Sequence, residues 1–132
     1  MFKGSNVALI TPFKDNKLDE ESYIKIINHH LENGTNGLVP VGTTGESPTL
    51  SHDEHERTIE LCIKEATGKL PIIAGTGSNS TEEAVSLTKH AEKAGADGAL
   101  VVTPYYNKPT QEGLYQHYKS INDNCGIPII IY

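Results

Sequence analysis

The chain switches repeatedly between two hydrophobic periods. Short continuous apolar runs predict strands at Asn6–Ile10, Gly37–Val41, Pro71–Ala74, Gly98–Val102 and Pro128–Tyr132. Between them, apolar positions recur at helical spacing. Asp19 can cap a first helix whose apolar face is Tyr23, Ile26, Ile27, His30 and Leu31, with Gly34 as its stop. Ser51-His52-Asp53-Glu54 is a capping-box pattern opening a second helix. That helix buries Ile59, Cys62, Ile63 and Ala66 and ends at Gly68. Ser80-Thr81-Glu82-Glu83 reads as another capping box, opening a helix with Ala84, Leu87, Ala91 and Ala94 inward and Gly95 closing it. Thr110–Asn122 is the fourth helix.

Five strands and four helices thus alternate at about the 30 residues of one βα unit. No linker, low-complexity tract or domain boundary interrupts residues 1–132, so they form one α/β unit. The strands are continuous Val/Ile/Leu runs, which suits a parallel sheet covered on both faces. A doubly wound dinucleotide-binding sheet fits poorly. Gly75-Thr76-Gly77-Ser78-Asn79-Ser80 has two of the three fingerprint glycines and follows the third strand. Ile127–Tyr132 reads as a central buried strand at the very end of the sequence, and five strands do not close an eight-stranded barrel. The expectation is a barrel fragment cut after its fifth strand.

Composition narrows the function. Seventeen acids against eleven bases give a net charge of −6, with no basic cluster, which argues against nucleic-acid or anionic-membrane partners. No apolar run approaches the roughly 20 residues of a membrane span, and the first residues lack a signal-peptide core. Cys62 and Cys125 make no CxxC pair. Cys62, on a helical apolar face, is expected as a buried reduced thiol, and the protein is expected in the cytoplasm.

The polar residues collect at strand ends. Thr11-Pro12, Thr43-Thr44-Gly45-Glu46-Ser47, Gly75-Thr76-Gly77-Ser78-Asn79 and Thr103-Pro104-Tyr105-Tyr106-Asn107 each follow a strand. In a parallel barrel these gather on the face where active sites form, and Tyr132 joins them. Val39-Pro40-Val41-Gly42-Thr43-Thr44-Gly45-Glu46-Ser47 is the most informative of them. Its glycines permit a sharp turn, and its adjacent threonines offer hydroxyls and free backbone N–H groups for a small anion such as a carboxylate. Thr43, Tyr106 and Tyr132 could form a hydroxyl relay that moves a proton. Equally, Thr43 could cap a turn and the tyrosines could pack. His52-x-x-His55 among Asp53, Glu54 and Glu56 reads as a solvated face rather than a metal site. His29, His30, His90 and His117 read as surface or half-buried residues. No lysine, Lys108 included, has the apolar setting of a Schiff-base nucleophile.

Gly42-Thr43-Thr44-Gly45-Glu46-Ser47, Val102-Thr103-Pro104-Tyr105-Tyr106-Asn107-Lys108-Pro109 and Gln111-Glu112-Gly113-Leu114-Tyr115-Gln116-His117-Tyr118 closely resemble the 4-hydroxy-tetrahydrodipicolinate synthase (dihydrodipicolinate synthase) family. The resemblance runs over the whole chain but over only the first part of that enzyme. It implies a TIM (β/α)8 barrel followed by a C-terminal helical region, assembled as a dimer of dimers. It implies condensation of pyruvate with L-aspartate 4-semialdehyde through a Schiff base on a sixth-strand lysine, on the route to diaminopimelate and lysine. No cofactor or metal is implied.

By the same resemblance, Thr43 is a relay residue and Thr44 binds the pyruvate carboxylate. Tyr132 exchanges protons near the imine, and Tyr106 enters the partner's site across the tight dimer. Ser47, His52, His55, Asn79, Glu83 and Tyr105 match a pocket where L-lysine inhibits. Pro48 departs from the small residue common there. The Schiff-base lysine, and an arginine just after the fifth strand, fall beyond Tyr132, so the chain alone is expected to be inactive. Two other readings stand beside this one. A sibling class I aldolase, such as N-acetylneuraminate lyase or a 2-keto-3-deoxy-sugar-acid aldolase, commonly carries Gly-Ser-Thr-Gly-Glu at the turn. A non-enzymatic half-barrel module would be expected to self-associate.

Overall fold

The computed structural model of the chain describes residues 2–132. In chain order its elements are β1 (Asn6–Ala8), β2 (Phe13–Lys14), β3 (Lys17–Leu18), α1 (Glu20–Glu32), β4 (Gly37–Val39), a 3-10 turn (Ser47–Thr49), α2 (His52–Ala66), β5 (Ile73–Gly75), α3 (Thr81–Ala94), β6 (Gly98–Val101), α4 (Gln111–Asn122) and β7 (Ile129–Ile131). The five long-range strands pair in parallel. Asn6 lies opposite Gly37, Ile73 opposite Gly98, and Ala99 opposite Ile129. Leu38 bridges to Ile72, and Gly75 N–H donates to Pro40 carbonyl at 2.9 Å, which joins β4 to β5. The wall therefore runs β1-β4-β5-β6-β7, the order of successive strands in a (β/α)8 barrel.

Each helix begins where the sequence places its cap. Asp19 accepts from Ser22 N–H, Ser51 from Glu54 N–H, Ser80 from Glu83 N–H and Thr110 from Gly113 N–H. The capping box at Ser51 is complete. At Ser80 it is half made, because the Glu83 carboxylate bonds Ser78 and His52 instead of the cap backbone. Gly95 ends α3 in the left-handed region, at φ 104°.

The main core lies where the helices pack against the wall. Leu9, Leu38, Val41 and Ile72 meet Tyr23 and Ile27 of α1 and Ile59 and Cys62 of α2. Cys62 is a free, buried thiol, as its helical position predicts. A smaller cluster joins Ala84, Ala99, Val101 and Ile121.

Three features depart from the sequence reading. The segment after Pro12 forms a hairpin, β2 paired antiparallel with β3 across Asp15 and Asn16, both at positive φ. Asp and Asn tolerate that conformation, which a two-residue hairpin turn requires. The fifth predicted strand forms as β7, parallel to β6, but it is only partly buried because residues 2–132 hold part of the barrel wall. Nothing pairs with the outer edge of β7 among the described residues, and Ile131 and Tyr132 are 64% and 60% exposed. His117 is buried rather than superficial, its Nδ1 at 2.9 Å from the Thr81 hydroxyl. It sits one turn before Ile121 on the inward face of α4.

Candidate functional site

The C-terminal ends of the strands build one concave region. A cavity on the inner face of the wall is lined by Thr43, Thr44, Leu100 and Tyr132, with Ala8, Val39 and Ile130 further along. A neighbouring cavity of about 300 Å³ is lined by Thr43, Ser47, Pro48, Tyr105 and Tyr132, with Gly75 and Gly77 at its base. Thr43 and Tyr132 border both. That size suits a small metabolite rather than a macromolecule.

The turn after β4 is shaped by backbone crowding. Val41 and Glu46 both hold positive φ, at 48° and 61°. Such strain persists only where the surroundings impose it. Here they do. A Cβ on Gly75 would lie 2.3 Å from the Val41 carbonyl oxygen, and one on Gly45 2.9 Å from Val41 Cα. Only glycine admits either approach. Gly45 N–H and Ser47 N–H both donate to the Gly42 carbonyl, at 3.0 and 3.4 Å, and Glu46 N–H donates to the Thr43 carbonyl at 3.1 Å. The turn is closed on its carbonyl side. Among the described residues, the N–H groups of Gly42, Thr43 and Thr44 have no acceptor within the chain. Adjacent unsatisfied N–H groups form a concavity that suits an anion.

Tyr132 is fixed through its backbone. Its N–H donates to the Val101 carbonyl, and its carbonyl accepts from Thr103 N–H at 2.8 Å and the Thr103 hydroxyl at 3.0 Å. The Tyr118 hydroxyl stands 3.1 Å from Thr103 Oγ1. Neither Thr103 nor Tyr118 stands out in the sequence as a positioning residue, and their helix-to-strand separation leaves no local pattern.

Tyr106 stands apart from Thr43 and Tyr132. It is 92% exposed, at φ 66°, in a loop where Lys108 also has positive φ. Asn107 ties that loop to the β5 end, donating through Nδ2 to the Asn79 carbonyl at 3.1 Å. The three hydroxyls considered as a relay are therefore not assembled within one chain.

The second group of residues divides as well. His52 Nε2 donates to Glu83 Oε1 at 2.8 Å, and the Ser78 hydroxyl donates to the other carboxylate oxygen. The Ser78 hydrogen bond, then that of His52, holds the Glu83 carboxyl below its ordinary value. Ser47 and Tyr105 line the 300 Å³ cavity, while His52 and Glu83 line a groove between the starts of α2 and α3. His55 is not on a solvated face. It is 3% exposed, and neither ring nitrogen has a partner among the described residues. Burial pushes its pKa down to about 4, so the ring is neutral at pH 7. Its place one turn before Ile59 was the available signal for an inward side chain.

No cluster of three or more His, Cys, Asp or Glu among the described residues is placed to ligate a metal ion. No described helix is long and apolar enough to cross a membrane.

A parallel barrel wall in this strand order, with hydroxyls and free N–H groups gathered at the strand ends, defines a protein of the (β/α)8-barrel class. More narrowly, the chain belongs to the Dihydrodipicolinate synthetase family, whose model matches residues 1–132. It is 79% identical to a 4-hydroxy-tetrahydrodipicolinate synthase of Pelagibacter ubique (strain HTCC1062), over 100% of this chain and 45% of that protein. Among solved structures it matches a chloride-inhibited dihydrodipicolinate synthase of Acinetobacter baumannii complexed with pyruvate. That match has a TM-score of 0.97 and 56% identity, covering 100% of this chain and 46% of the other. It also matches the enzyme of Cyanidioschyzon merolae with lysine bound, with a TM-score of 0.94 and 40% identity over 99% and 46%. The chain spans less than half the length of these relatives.

Proposed function

We propose that residues 1–132 form the part of a 4-hydroxy-tetrahydrodipicolinate synthase that seats pyruvate and moves protons, and that the lysine forming the Schiff base lies outside them. The observation that carries this reading is the pair of free N–H groups at Thr43 and Thr44, on a cavity shared with Tyr132. In this account the Thr44 hydroxyl and N–H hold the pyruvate carboxylate. A nearby lysine amine attacks the ketone carbon, water leaves, and an imine forms. Loss of a methyl proton gives the enamine, whose carbon attacks the aldehyde of L-aspartate 4-semialdehyde. The Tyr132 hydroxyl serves these proton transfers, and Thr43, bordering the same cavity, passes the proton onward. Tyr106, exposed and clear of this chain's cavity, completes the relay in a second copy.

The active protein in this account is a complete barrel in the cytoplasm, assembled at least as a dimer, and the 132-residue chain alone is inactive. Its test is turnover by the complete barrel. Condensation of pyruvate with aspartate semialdehyde supports the reading. Cleavage of sialic acid or a 2-keto-3-deoxy-sugar acid in its place assigns the chain to a sibling aldolase.

L-Lysine is the proposed inhibitor, held by Ser47 and Tyr105 on one side and His52 and Glu83 on the other, with Asn79 in the loop before α3. The Glu83 carboxylate, ionised and already organised by Ser78, suits an ammonium group. His55, matched to the same pocket by resemblance, is buried and lines neither cavity. Pro48 borders the same cavity as Ser47 and narrows its conformational freedom, which tunes affinity.

A further inference from the structure

The Thr43-Thr44 turn has a tether that its assigned roles do not use. Thr11, just past β1, is 4% exposed, and its hydroxyl donates to the Gly45 carbonyl at 2.7 Å. This hydrogen bond spans 34 positions of sequence and is buried. It joins two strand ends that the ladder has already left. The last bond between them is Leu9 N–H to the Val39 carbonyl, at 3.0 Å. Beyond it, Gly45 is wedged so close that a Cβ there would lie 3.0 Å from the Leu9 carbonyl oxygen.

The turn needs such a restraint. Val41 and Glu46 hold strained positive φ on either side of it. Its own hydrogen bonds run from residue to residue within the turn and do not fix it against the barrel. Thr43 and Thr44 are exposed and make no side-chain hydrogen bond that would hold them. Among the described residues, Thr11 supplies the side-chain bond from another strand to this turn. Replacing the hydroxyl by a methyl group leaves the Gly45 carbonyl buried without a donor, an arrangement that favours opening.

We propose that Thr11 is a positioning residue: through Gly45 it sets where the Thr43 and Thr44 hydroxyls and N–H groups meet the ketoacid. It touches no reacting atom. The proposal rests on the reading of the site given above, and two measurements on the complete barrel separate the two.

The first follows amide hydrogen exchange in Thr11→Val, Thr11→Cys and Thr11→Ser, and needs no substrate. In Thr11→Val the Gly45, Glu46 and Ser47 amides are expected to exchange about fivefold or more faster relative to those of β6, with Thr11→Ser near the native rate. Unchanged exchange at these amides in Thr11→Val overturns the tether. The second measures steady-state constants per pyruvate-trapping site, which cancels any loss of folded protein. The expected result for Thr11→Val is a pyruvate kcat/KM at least about tenfold lower, carried mostly by KM and restored in Thr11→Ser. A lower thermal midpoint with native constants per site overturns the positioning role. If Thr11→Val does not fold, Thr11→Cys, of similar volume and a weaker donor, decides by the same two readouts. If the native barrel traps no pyruvate, the functional reading fails, while the exchange experiment still decides the tether.

Discussion

His52 and Glu83, 31 positions apart, meet at 2.8 Å across the gap between α2 and α3. The contact exists because Glu83 leaves the helix cap that its spacing from Ser80 suggests. Its carboxylate turns instead toward Ser78 and His52. A carboxylate diverted from a local stabilising role toward a groove is available to a ligand. Glu83→Gln keeps the shape and removes the charge. The expected outcome is inhibition by lysine weakened at least about tenfold, with uninhibited turnover retained. Inhibition curves for the two proteins check it.

Gly75 supports the turn from below. A Cβ there would meet the Val41 carbonyl oxygen at 2.3 Å, backbone against side chain, with no flexible group to yield. Gly75→Ala is expected to destabilise the protein by at least about 2 kcal/mol and to raise the KM for pyruvate. Thermal unfolding and steady-state kinetics measure both.

Thr103 holds the Tyr132 backbone with two hydrogen bonds, one of them from its side chain. Thr103→Val removes that one and keeps the volume. Turnover is expected to fall about three- to tenfold with pyruvate KM less affected, because under the proposed function the residue displaced carries the proton rather than seating the carboxylate. A change confined to KM contradicts this division of labour.

His55 gives a pH dependence of definite sign. Folded, its ring stays neutral down to about pH 4, whereas in the unfolded chain it protonates near 6.5. The unfolded state therefore binds more protons between those values, and stability falls as pH drops through that window. The loss is at most about 3 kcal/mol. His117, also held down by burial, acts in the same direction. His55→Gln is expected to flatten the fall between pH 6.5 and 4.5 without abolishing it. Denaturant midpoints across that range provide the measurement, and an unchanged slope contradicts the account.

Much of the wall was legible because strands buried on both faces read as continuous apolar runs, and because Asp19, Ser51, Ser80 and Thr110 are good caps at helix starts. The shape of the turn after β4 was legible for a similar reason. Two glycines around two threonines leave few backbone arrangements, and the one found leaves the Thr43 and Thr44 N–H groups free. What escaped depended on distant partners. The inward side of α2 takes in His55 because the helix face continues one turn before Ile59. Glu83 abandons its cap for a residue on another helix. Thr11 reads as an ordinary strand-end threonine until Gly45 is brought beside it.

The central claim is that these residues seat pyruvate but do not activate it. Borohydride reduction in the presence of pyruvate tests it most directly. The complete barrel is expected to gain one stable pyruvate-derived adduct on a lysine outside residues 1–132, and the 132-residue chain none. An adduct on any lysine within residues 1–132 would contradict the account.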